Sequence, residues 1–344
     1  MWHMAMTIRD VAKQAGVTIG TVSRAFNGYA DIRPETRKRI LKAADELGYT
    51  PNVTARSLSS KRPPNIALIV SGLLEGEPKD NMVYLLLQGI FGYSLANGLE
   101  VAVYATDSAK QRSKSYASFC KERNISGAVL CGITTDDAYL SELLQSEIPR
   151  VTFDVPLSGS GFGWVSIDNI AAARQMAELL LENGHKDIIV VGGKKNAAVN
   201  LERMAGAYEA FSAAGKAFES SNVIYANFSE TLAYKRVKKY LEETPREKHC
   251  TAFCCFSDIM ALGTMKAIKD AGYRIPRDFS VTGFDGLAIT EYTSPALTTI
   301  VQDMRRIGYE AVKMLHRIME GGEGGHELVP YELVQRGSVG KPRK

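Results

Sequence analysis

The sequence predicts an α/β protein in which a short all-helical headpiece precedes a core of two doubly wound parallel sheets. Residues 1–62 have only the pattern of short amphipathic helices. From Asn65 onward, short apolar runs alternate with helical stretches of roughly ten to sixteen residues. This alternation begins again after about residue 169. Parallel strands that are covered on both faces produce such continuous apolar runs.

Composition excludes several classes of protein. The 344 residues allow two or three domains at roughly 100–200 residues each. Apolar residues make up 45% and charged residues 23%, which is ordinary for a globular chain. No apolar run reaches the roughly 18 residues of a membrane-spanning helix. The first residues show no long apolar core followed by a cleavage site, so we expect no secretory signal. With five cysteines and no metal-finger spacing, we expect a cytoplasmic protein without a metal or cofactor.

Charge is distributed unevenly along the chain. Residues 1–62 carry 11 Lys and Arg against 5 Asp and Glu, whereas residues 63–344 carry 31 against 33. A basic first sixth on a nearly neutral body indicates a polyanionic partner at the N-terminus.

The first sixty residues contain the start and stop signals of three helices. The string Thr7-Ile-Arg-Asp10 has the form of a capping box, and Gly16 ends that helix. Thr18 begins a second helix, and Pro34 lies in the first turn of a third that ends at Gly48. Two short helices joined by a tight turn and braced by a third predict a helix-turn-helix domain.

The second helix offers side chains suited to DNA. Arg24 can bind both acceptors of a guanine, and Val22 faces inward. From this segment alone, a surface helix with an incidental arginine is an equal alternative. The exposed face and the short phosphate donors comprise Ile19, Gly20, Thr21, Ser23, Arg24 and Asn27.

Two sets of apolar runs predict the strands of the core. The first set is IALIVSG, VAVYATD, GAVLCG and RVTFDV, and the second is DIIVVGG, NVIYANF, TAFCCF and FSVTGFD. Gly192-Gly193 is not followed by a dinucleotide fingerprint, and the sequence contains no P-loop. A ligand of such a fold binds at the carboxyl ends of the strands.

The motifs together resemble the lactose- and galactose-repressor (LacI/GalR) family from about residue 6 to residue 338. Headpiece motifs that carry the resemblance are Thr7-Ile-Arg-Asp-Val-Ala12, Ala15-Gly-Val-Thr18, Thr21-Val-Ser-Arg24, Asn27, Pro34-Glu-Thr-Arg37, Leu47-Gly-Tyr-Thr-Pro-Asn52 and Ala55-Arg-Ser-Leu58. Core motifs are Gly184-His185, Arg203-Met-Ala-Gly206, Ser257-Asp-Ile-Met-Ala-Leu-Gly263, Gly283-Phe-Asp285 and Pro295-Ala-Leu-Thr-Thr-Ile-Val-Gln302. Arg33 departs from the family's usual hydroxyl cap before Pro34.

This resemblance implies a sequence-specific repressor of carbohydrate-utilisation genes. Its dimer would bind a near-palindromic double-stranded operator, and Leu58 of a hinge helix would wedge into the central base step. A sugar-like effector would bind between two periplasmic-binding-protein-like lobes. The DNA-contacting residues would be Thr7, Ile8, Ile19, Gly20, Thr21, Ser23, Arg24, Asn27, Tyr49, Asn52, Ala55, Arg56 and Leu58.

The expected domain bounds follow from the same resemblance. The headpiece would span 6–51, and the hinge helix with its linker would span 52–64. The first core lobe would comprise 65–168 and 303–325, and the second 169–302 and 326–340.

The resemblance also selects effector-contacting positions: Ser71, Asp154, Asp168, Arg203, Phe228, Ser257, Asp258, Asp285 and Gln302. Alternatives stay open for three of them. Asp258 is equally a helix cap, and for Asp285 the alternative is a turn residue after a strand, with the ligand-binding role favoured. Arg203 is placed at a helix start, where a cation opposes the helix dipole, which favours a functional role.

Other departures from the family bear on the ligand. Met82-Val83 replaces paired aromatic residues, and Ser257 replaces an asparagine, so no particular sugar is named. Ala197 and Val199 lack the polar groups that a purine base would need.

Two other classes of protein share parts of this pattern. A solute-binding transport protein has the lobes but no helix-turn-helix, and an enzyme needs carboxylates paired at catalytic separation.

The segment 84–91 is apolar almost all round, so it is either a fully buried helix or partly a dimer surface. Because the C-terminus lacks leucine heptads, we do not expect a tetramer built by a tail coiled coil.

Overall fold

The computed structural model describes residues 6–26, 29, 31–49, 65–72, 81–157 and 159–343. The chain divides into two compact units, and the division falls between Pro63 and Pro64. Within the described ranges, no helix combines the length and apolar character needed to span a membrane.

The first unit contains the three predicted helices, α1 (Ile8–Ala15), α2 (Ile19–Phe26) and α3 (Pro34–Glu46). Val11, Val22 and Ile40 have no exposed surface and form their common core. At the start of α1, the Asp10 carboxylate accepts from the Thr7 amide at 2.8 Å and from its hydroxyl at 2.7 Å. The three helices and their common core confirm the helix-turn-helix prediction.

The second unit contains two lobes, each built on a six-stranded sheet. In the first lobe the strand order is β11-β5-β4-β3-β1-β2, and in the second it is β12-β10-β9-β8-β6-β7. First-lobe elements are β1 (Asn65–Ser71), α4 (Met82–Ala96), β2 (Glu100–Thr106), α5 (Ser108–Ser113), α6 (Tyr116–Arg123), β3 (Gly127–Cys131), α7 (Ala138–Gln145), β4 (Arg150–Phe153), β5 (Phe162–Ser166), α12 (Met304–Met319) and β11 (Gly325–Leu328). Second-lobe elements are α8 (Asn169–Glu182), β6 (Ile188–Gly192), α9 (Ala198–Ala213), β7 (Val223–Tyr225), α10 (Glu230–Glu243), β8 (Ala252–Cys255), α11 (Asp258–Asp270), β9 (Ser280–Asp285), β10 (Thr298–Gln302) and β12 (Tyr331–Val334).

The chain crosses between the lobes at three places, and the third differs from the expectation. The first crossing joins β5 to α8, and the second joins β10 to α12. Gly325–Leu328 pairs in parallel with β5 of the first sheet, so the return to the second lobe follows Leu328 rather than residue 325. After it, β12 pairs antiparallel with β10, and the second sheet is therefore not wholly parallel. The other domain bounds stay predictions.

Glycines allow the helices of each lobe to pack closely. A Cβ atom on Gly206 of α9 would lie 2.1 Å from the carbonyl oxygen of Ile170 in α8. A Cβ on Gly263 of α11 would lie 2.2 Å from the carbonyl oxygen of Glu230 in α10. Any larger residue at either position would push the paired helices apart, which gives a physical reason for two glycines of the family motifs.

Helix α4 is not fully buried, so that alternative is wrong. Leu86 and Ile90 pack into the core, but Tyr84, Phe91 and Leu95 are 60%, 39% and 79% exposed. One face of this helix therefore packs within the lobe, and the other presents large apolar side chains at the surface.

Candidate ligand cavity and DNA-contacting surface

A cavity of about 510 Å³ lies between the two lobes, at the carboxyl ends of strands from both sheets. This volume falls within the range of roughly 300–1,000 Å³ typical of small-molecule sites. Its first-lobe lining consists of Val70, Ser71, Gly72, Met82, Val83, Cys131, Gly132, Ile133, Thr134, Phe153, Asp154 and Val155. Its second-lobe lining consists of Lys194, Ala197, Ala198, Val199, Arg203, Asn227, Phe228, Ser229, Ser257, Ile259 and Asp285.

Six of the nine residues selected from the sequence line this cavity, and three do not. The six are Ser71, Asp154, Arg203, Phe228, Ser257 and Asp285. Asp168 is exposed instead, and its carboxylate accepts from the Ala171 amide at 2.8 Å to cap α8. Gln302 is buried and donates its side-chain amide to Asp285 at 2.9 Å. Its role in this structure is to hold a cavity carboxylate.

Asp258 is neither a lining residue nor the cap of α11. The hydroxyl of Ser257 caps that helix by accepting from the Met260 amide at 3.2 Å. The buried Asp258 carboxylate accepts from the Leu287 amide at 2.7 Å and from the Thr299 hydroxyl at 2.6 Å. It therefore holds in place the loop that follows β9.

Arg203 lies in the second turn of α9 rather than at the start of a helix, so the helix-dipole argument from the sequence does not apply to it. Its side chain is buried, with Nη1 2.6 Å from the Phe256 carbonyl and 3.7 Å from Asp285 Oδ1. The guanidinium carbon also lies 3.6 Å from the centroid of the Phe284 ring. These contacts fix the guanidinium in one orientation at the cavity.

A chain of polar contacts joins this arginine to two of the lobe crossings. Arg203 Nε donates to Asn169 Oδ1 at 3.0 Å, and Asn169 Nδ2 donates to the Ser166 hydroxyl at 3.0 Å. Ser166 in turn donates to Asp154. At the other end, Asp285 is held by Gln302, the last residue before the second crossing. These contacts connect Arg203 to residues at both crossings.

Burial sets the electrostatics of this cluster. It raises the pKa of Asp154 and of Glu202, and Asp154 raises the pKa of Glu202 further. Burial lowers the pKa of Arg203, while the neighbouring Asp285 carboxylate opposes that change. Such paired and hydrogen-bonded charges can bind hydroxyl groups strongly, because charge-assisted hydrogen bonds are stronger than neutral ones.

Loops of the two lobes also meet directly beside the cavity. The Asn196 carbonyl accepts from the Thr135 amide at 2.8 Å and from its hydroxyl at 3.0 Å. The side-chain amide of Asn196 donates to Asp136. In this structure the lobes are therefore held together over one side of the cavity.

Sequence reasoning missed several polar lining residues, among them Lys194, Asn227 and Thr134. Each follows a strand by two or three residues, so the rule that ligands bind at the carboxyl ends of strands was a usable signal.

Backbone strain could not be predicted from the sequence. Of the five non-glycine residues with positive φ among the described residues, four line the cavity: Asp154, Asn227, Phe228 and Asp285. Strained backbone concentrates at functional sites in this way.

We expect the Asp258 carboxyl to make stability depend on pH. Burial raises its pKa from 3.8 to about 7, although the Thr299 hydroxyl and two backbone amides favour the carboxylate. Since the folded protein holds this proton more tightly than the unfolded chain, the resulting stabilisation is complete below about pH 4 and lost as pH rises through about 7. In an Asp258→Asn variant, the melting temperature should fall less steeply between pH 4 and 7 than in the wild type. Asp168→Asn, at an exposed carboxylate, should keep the wild-type slope, and equal slopes in all three proteins would contradict the expectation.

The headpiece presents part of the predicted DNA-contacting set at its surface. Thr7, Ile19, Gly20 and Arg24 are exposed, and Ile8, Thr21 and Ser23 are half-buried. Arg24 forms an ion pair with Asp31 in this structure, and its guanidinium lies 5.5 Å from the Tyr29 ring centroid. Tyr49 is half-buried and packs against the headpiece core, with its ring centroid 6.1 Å from that of Phe26. Outside the described residues lie Asn27, Asn52, Ala55, Arg56 and Leu58.

Comparison with known proteins agrees with both parts of the chain. Residues 7–52 match the bacterial regulatory proteins of the lacI family, and residues 177–339 match a periplasmic binding protein-like domain. The HTH-type transcriptional repressor PurR of Vibrio campbellii (strain ATCC BAA-1116) is 33% identical over 343 residues, which cover 97% of this chain and 99% of that repressor. The HTH-type transcriptional regulator MalR of Clostridium butyricum is 29% identical over 340 residues, with coverage of 97% and 99%.

A solved structure extends the similarity to the fold. The complex of the transcriptional regulator CelR with cellobiose has a TM-score of 0.73 and 26% identity, and the match covers 97% of this chain and 99% of that one. The helix-turn-helix headpiece, the two lobes and the near-complete match to these regulators lead to one conclusion: the chain belongs to the lacI family of bacterial regulatory proteins, and it is a transcriptional regulator rather than an enzyme.

Proposed function

We propose that this regulator represses carbohydrate-utilisation genes and that a sugar-like effector in the interlobe cavity changes its affinity for the operator. The observation that carries the proposal is the Arg203–Asp285 pair, which faces the cavity and is tied to two lobe crossings. A ligand that draws on these side chains can shift the lobes relative to each other. The CelR complex, in which the bound molecule is cellobiose, supports a saccharide as the class of effector.

The lining also favours a sugar over a purine base. Ala197 and Val199 both line the cavity and offer no side-chain hydrogen bond to the polar edge of a base. The carboxylate of Asp285 and the guanidinium of Arg203 suit hydroxyl groups, which both donate and accept.

The DNA-binding role is assigned to residues 6–62. Their excess of basic residues suits the phosphate backbone, and exposed Arg24 suits a guanine in the major groove. A near-palindromic operator requires two headpieces, and we assign the homodimer contact to the exposed face of α4 formed by Tyr84, Phe91 and Leu95. A regulator with this role acts in the cytoplasm, where the bacterial chromosome lies.

The proposal is tested by DNA binding with and without sugars. Duplexes selected by the full-length protein from a random pool should contain a near-palindrome, and the protein should protect both half-sites in a footprint. Titration with monosaccharides and disaccharides should then reveal at least one that changes operator affinity by roughly 5–150-fold, a typical coupling between two sites. Selection of asymmetric single half-sites, or the absence of any response to sugars, would contradict it.

A further inference from the structure

Two residues that follow α2 hold the side chain of Arg24. The Asp31 carboxylate forms an ion pair with Arg24 Nη2, and the guanidinium carbon of Arg24 lies 5.5 Å from the centroid of the Tyr29 ring. The Tyr29 amide also donates to the Arg24 carbonyl at 3.2 Å, which keeps Tyr29 against the end of α2. A carboxylate and an aromatic ring therefore both restrict the arginine that we assign to a guanine.

These two neighbours are anchored to the rest of the headpiece. The Tyr29 carbonyl accepts from Arg37 Nη2, in the first turn of α3, at 2.6 Å and from the Ile32 amide at 3.4 Å. Ile32, next to Asp31 in the chain, packs against the hydrophobic core of the headpiece. These contacts help to fix where the Asp31 carboxylate lies relative to α2.

Neither stability nor overall affinity for DNA explains an acidic residue beside Arg24. The side chains of Arg24 and Asp31 are 54% and 47% exposed, and a surface ion pair of this kind contributes little to stability. Asp31 is also one of only 5 acidic residues among residues 1–62, and its charge opposes the attraction of this basic segment to phosphates. Its contribution is therefore to be sought in selectivity.

The ion pair changes what the guanidinium can bind. With Asp31 on Nη2, Nη1 and the second hydrogen of Nη2 still form a two-donor edge that matches O6 and N7 of guanine. The carboxylate at the same time offsets the attraction of the cation to phosphates, which every DNA sequence offers. We propose that Asp31 is a specificity-determining residue that positions Arg24 for guanine and reduces its binding to phosphate. This inference rests on the proposed DNA-binding role of α2.

A base analogue tests the positioning on the full-length protein. The probe is the near-palindromic duplex that the wild type selects from a random pool, and the relevant guanine is the one at which Arg24→Ala loses its preference. Replacing that guanine with 7-deazaguanine removes the N7 acceptor and should weaken binding by the wild type about fivefold or more. Asp31→Asn keeps the size of the side chain but removes its charge, and the same base change should weaken this variant about twofold or less. Its preferences at the other base pairs should stay within about twofold of those of the wild type.

Binding to poly(dA-dT), which lacks guanine, tests the effect on phosphate contacts. Asp31→Asn should bind this duplex more tightly than the wild type, because the Arg24 guanidinium no longer shares its charge with a carboxylate. Its affinity should also fall more steeply with salt. For one added phosphate contact, the slope of log affinity against log salt concentration changes by about 0.9.

Three further variants separate charge from shape and from folding. Asp31→Glu keeps the carboxylate, so it should recover much of the sensitivity to 7-deazaguanine that Asp31→Asn loses. Asp31→Ser repeats the measurement if circular dichroism shows that Asp31→Asn does not fold. Asp45→Asn is the matched control, because Asp45 is an exposed carboxylate on α3 of the same headpiece, away from the contacts around Arg24. It should keep the wild-type sensitivity to 7-deazaguanine.

The outcomes separate the inference from the function on which it rests. Equal sensitivity to 7-deazaguanine in the wild type and in Asp31→Asn overturns the inference, and so does equal behaviour of Asp31→Glu and Asp31→Asn. Tighter binding of the selected duplex by Asp31→Asn with undiminished preference for guanine also overturns it, because Asp31 would then only mask the arginine. Loss of preference at every base pair alike would show a general structural role instead. If Arg24→Ala keeps every base preference, the assignment of Arg24 to a guanine fails as well, and if the wild type selects no duplex, the proposed function itself fails.

Discussion

Replacing Arg203 with alanine is expected to abolish the response to effector and to destabilise the core. The side chain is 2% exposed and lies beside Asp285, which is 6% exposed, so its removal leaves a buried carboxylate without its cation. Breaking such a pair costs roughly 3–5 kcal/mol. Denaturant unfolding measures the loss of stability, and titration of operator binding with the identified sugar measures the loss of response.

Arg174→Ala is the matched control. Arg174 forms ion pairs with Glu178 and Glu209 on the surface of the same lobe, and its side chain is 48% exposed. Surface pairs of this kind contribute about 0–1 kcal/mol, so this variant should stay close to the wild type in both measurements. An Arg203→Ala protein that responds at the wild-type sugar concentration would show that the arginine does not take part in the response. Loss of operator binding without any sugar would instead indicate a misfolded core.

A fragment that begins at Asn65 is expected to fold and yet lose specific operator binding. Two large hydrophobic clusters of the core form entirely within residues 66–339, so the fragment retains its own interior. The basic headpiece is absent from it, and its operator affinity should fall by about a thousandfold or more. Circular dichroism melting checks the fold, and a gel shift checks binding. Affinity of the full-length protein should also fall steeply with salt, because phosphate contacts release counterions.

Single substitutions refine this expectation within the headpiece. Arg24→Ala should lower discrimination at one base pair of each half-site by about 1–3 kcal/mol while leaving the other positions unchanged. Leu58→Ala should reduce DNA bending, which circular-permutation gel mobility measures. Undiminished operator binding by the fragment from Asn65 would place the DNA contacts elsewhere, and an unchanged bend angle in Leu58→Ala would rule out the wedge.

The sequence predicted the elements well because local signals determine them. Thr7 and Asp10 form the capping pair that the string Thr7-Ile-Arg-Asp10 predicts. Val22 is buried, as its position in the helical pattern predicts. Short strands with mixed polarity were missed, as in Gly325–Leu328, because pairing with a distant strand rather than local pattern makes them strands.

The candidate site was predicted less completely. A carboxylate just after a strand can face a ligand, cap a helix or brace a loop, and no local pattern distinguishes these uses. Asp285 faces the cavity, Asp168 caps a helix, and Asp258 holds the Leu287 amide. The difference depends on backbone direction at each strand end, which only the assembled lobes determine.

The contact at Gly206 determines how movement at the cavity is transmitted. There is no room for even a Cβ atom between Gly206 and the Ile170 carbonyl, so α9 and α8 pack backbone to backbone at this point. Arg203 lies one turn before this glycine, and Asn169 at the start of α8 adjoins the first lobe crossing. We therefore expect the two helices to move together, so that a movement of Arg203 at the cavity carries with it the start of α8 and the first crossing.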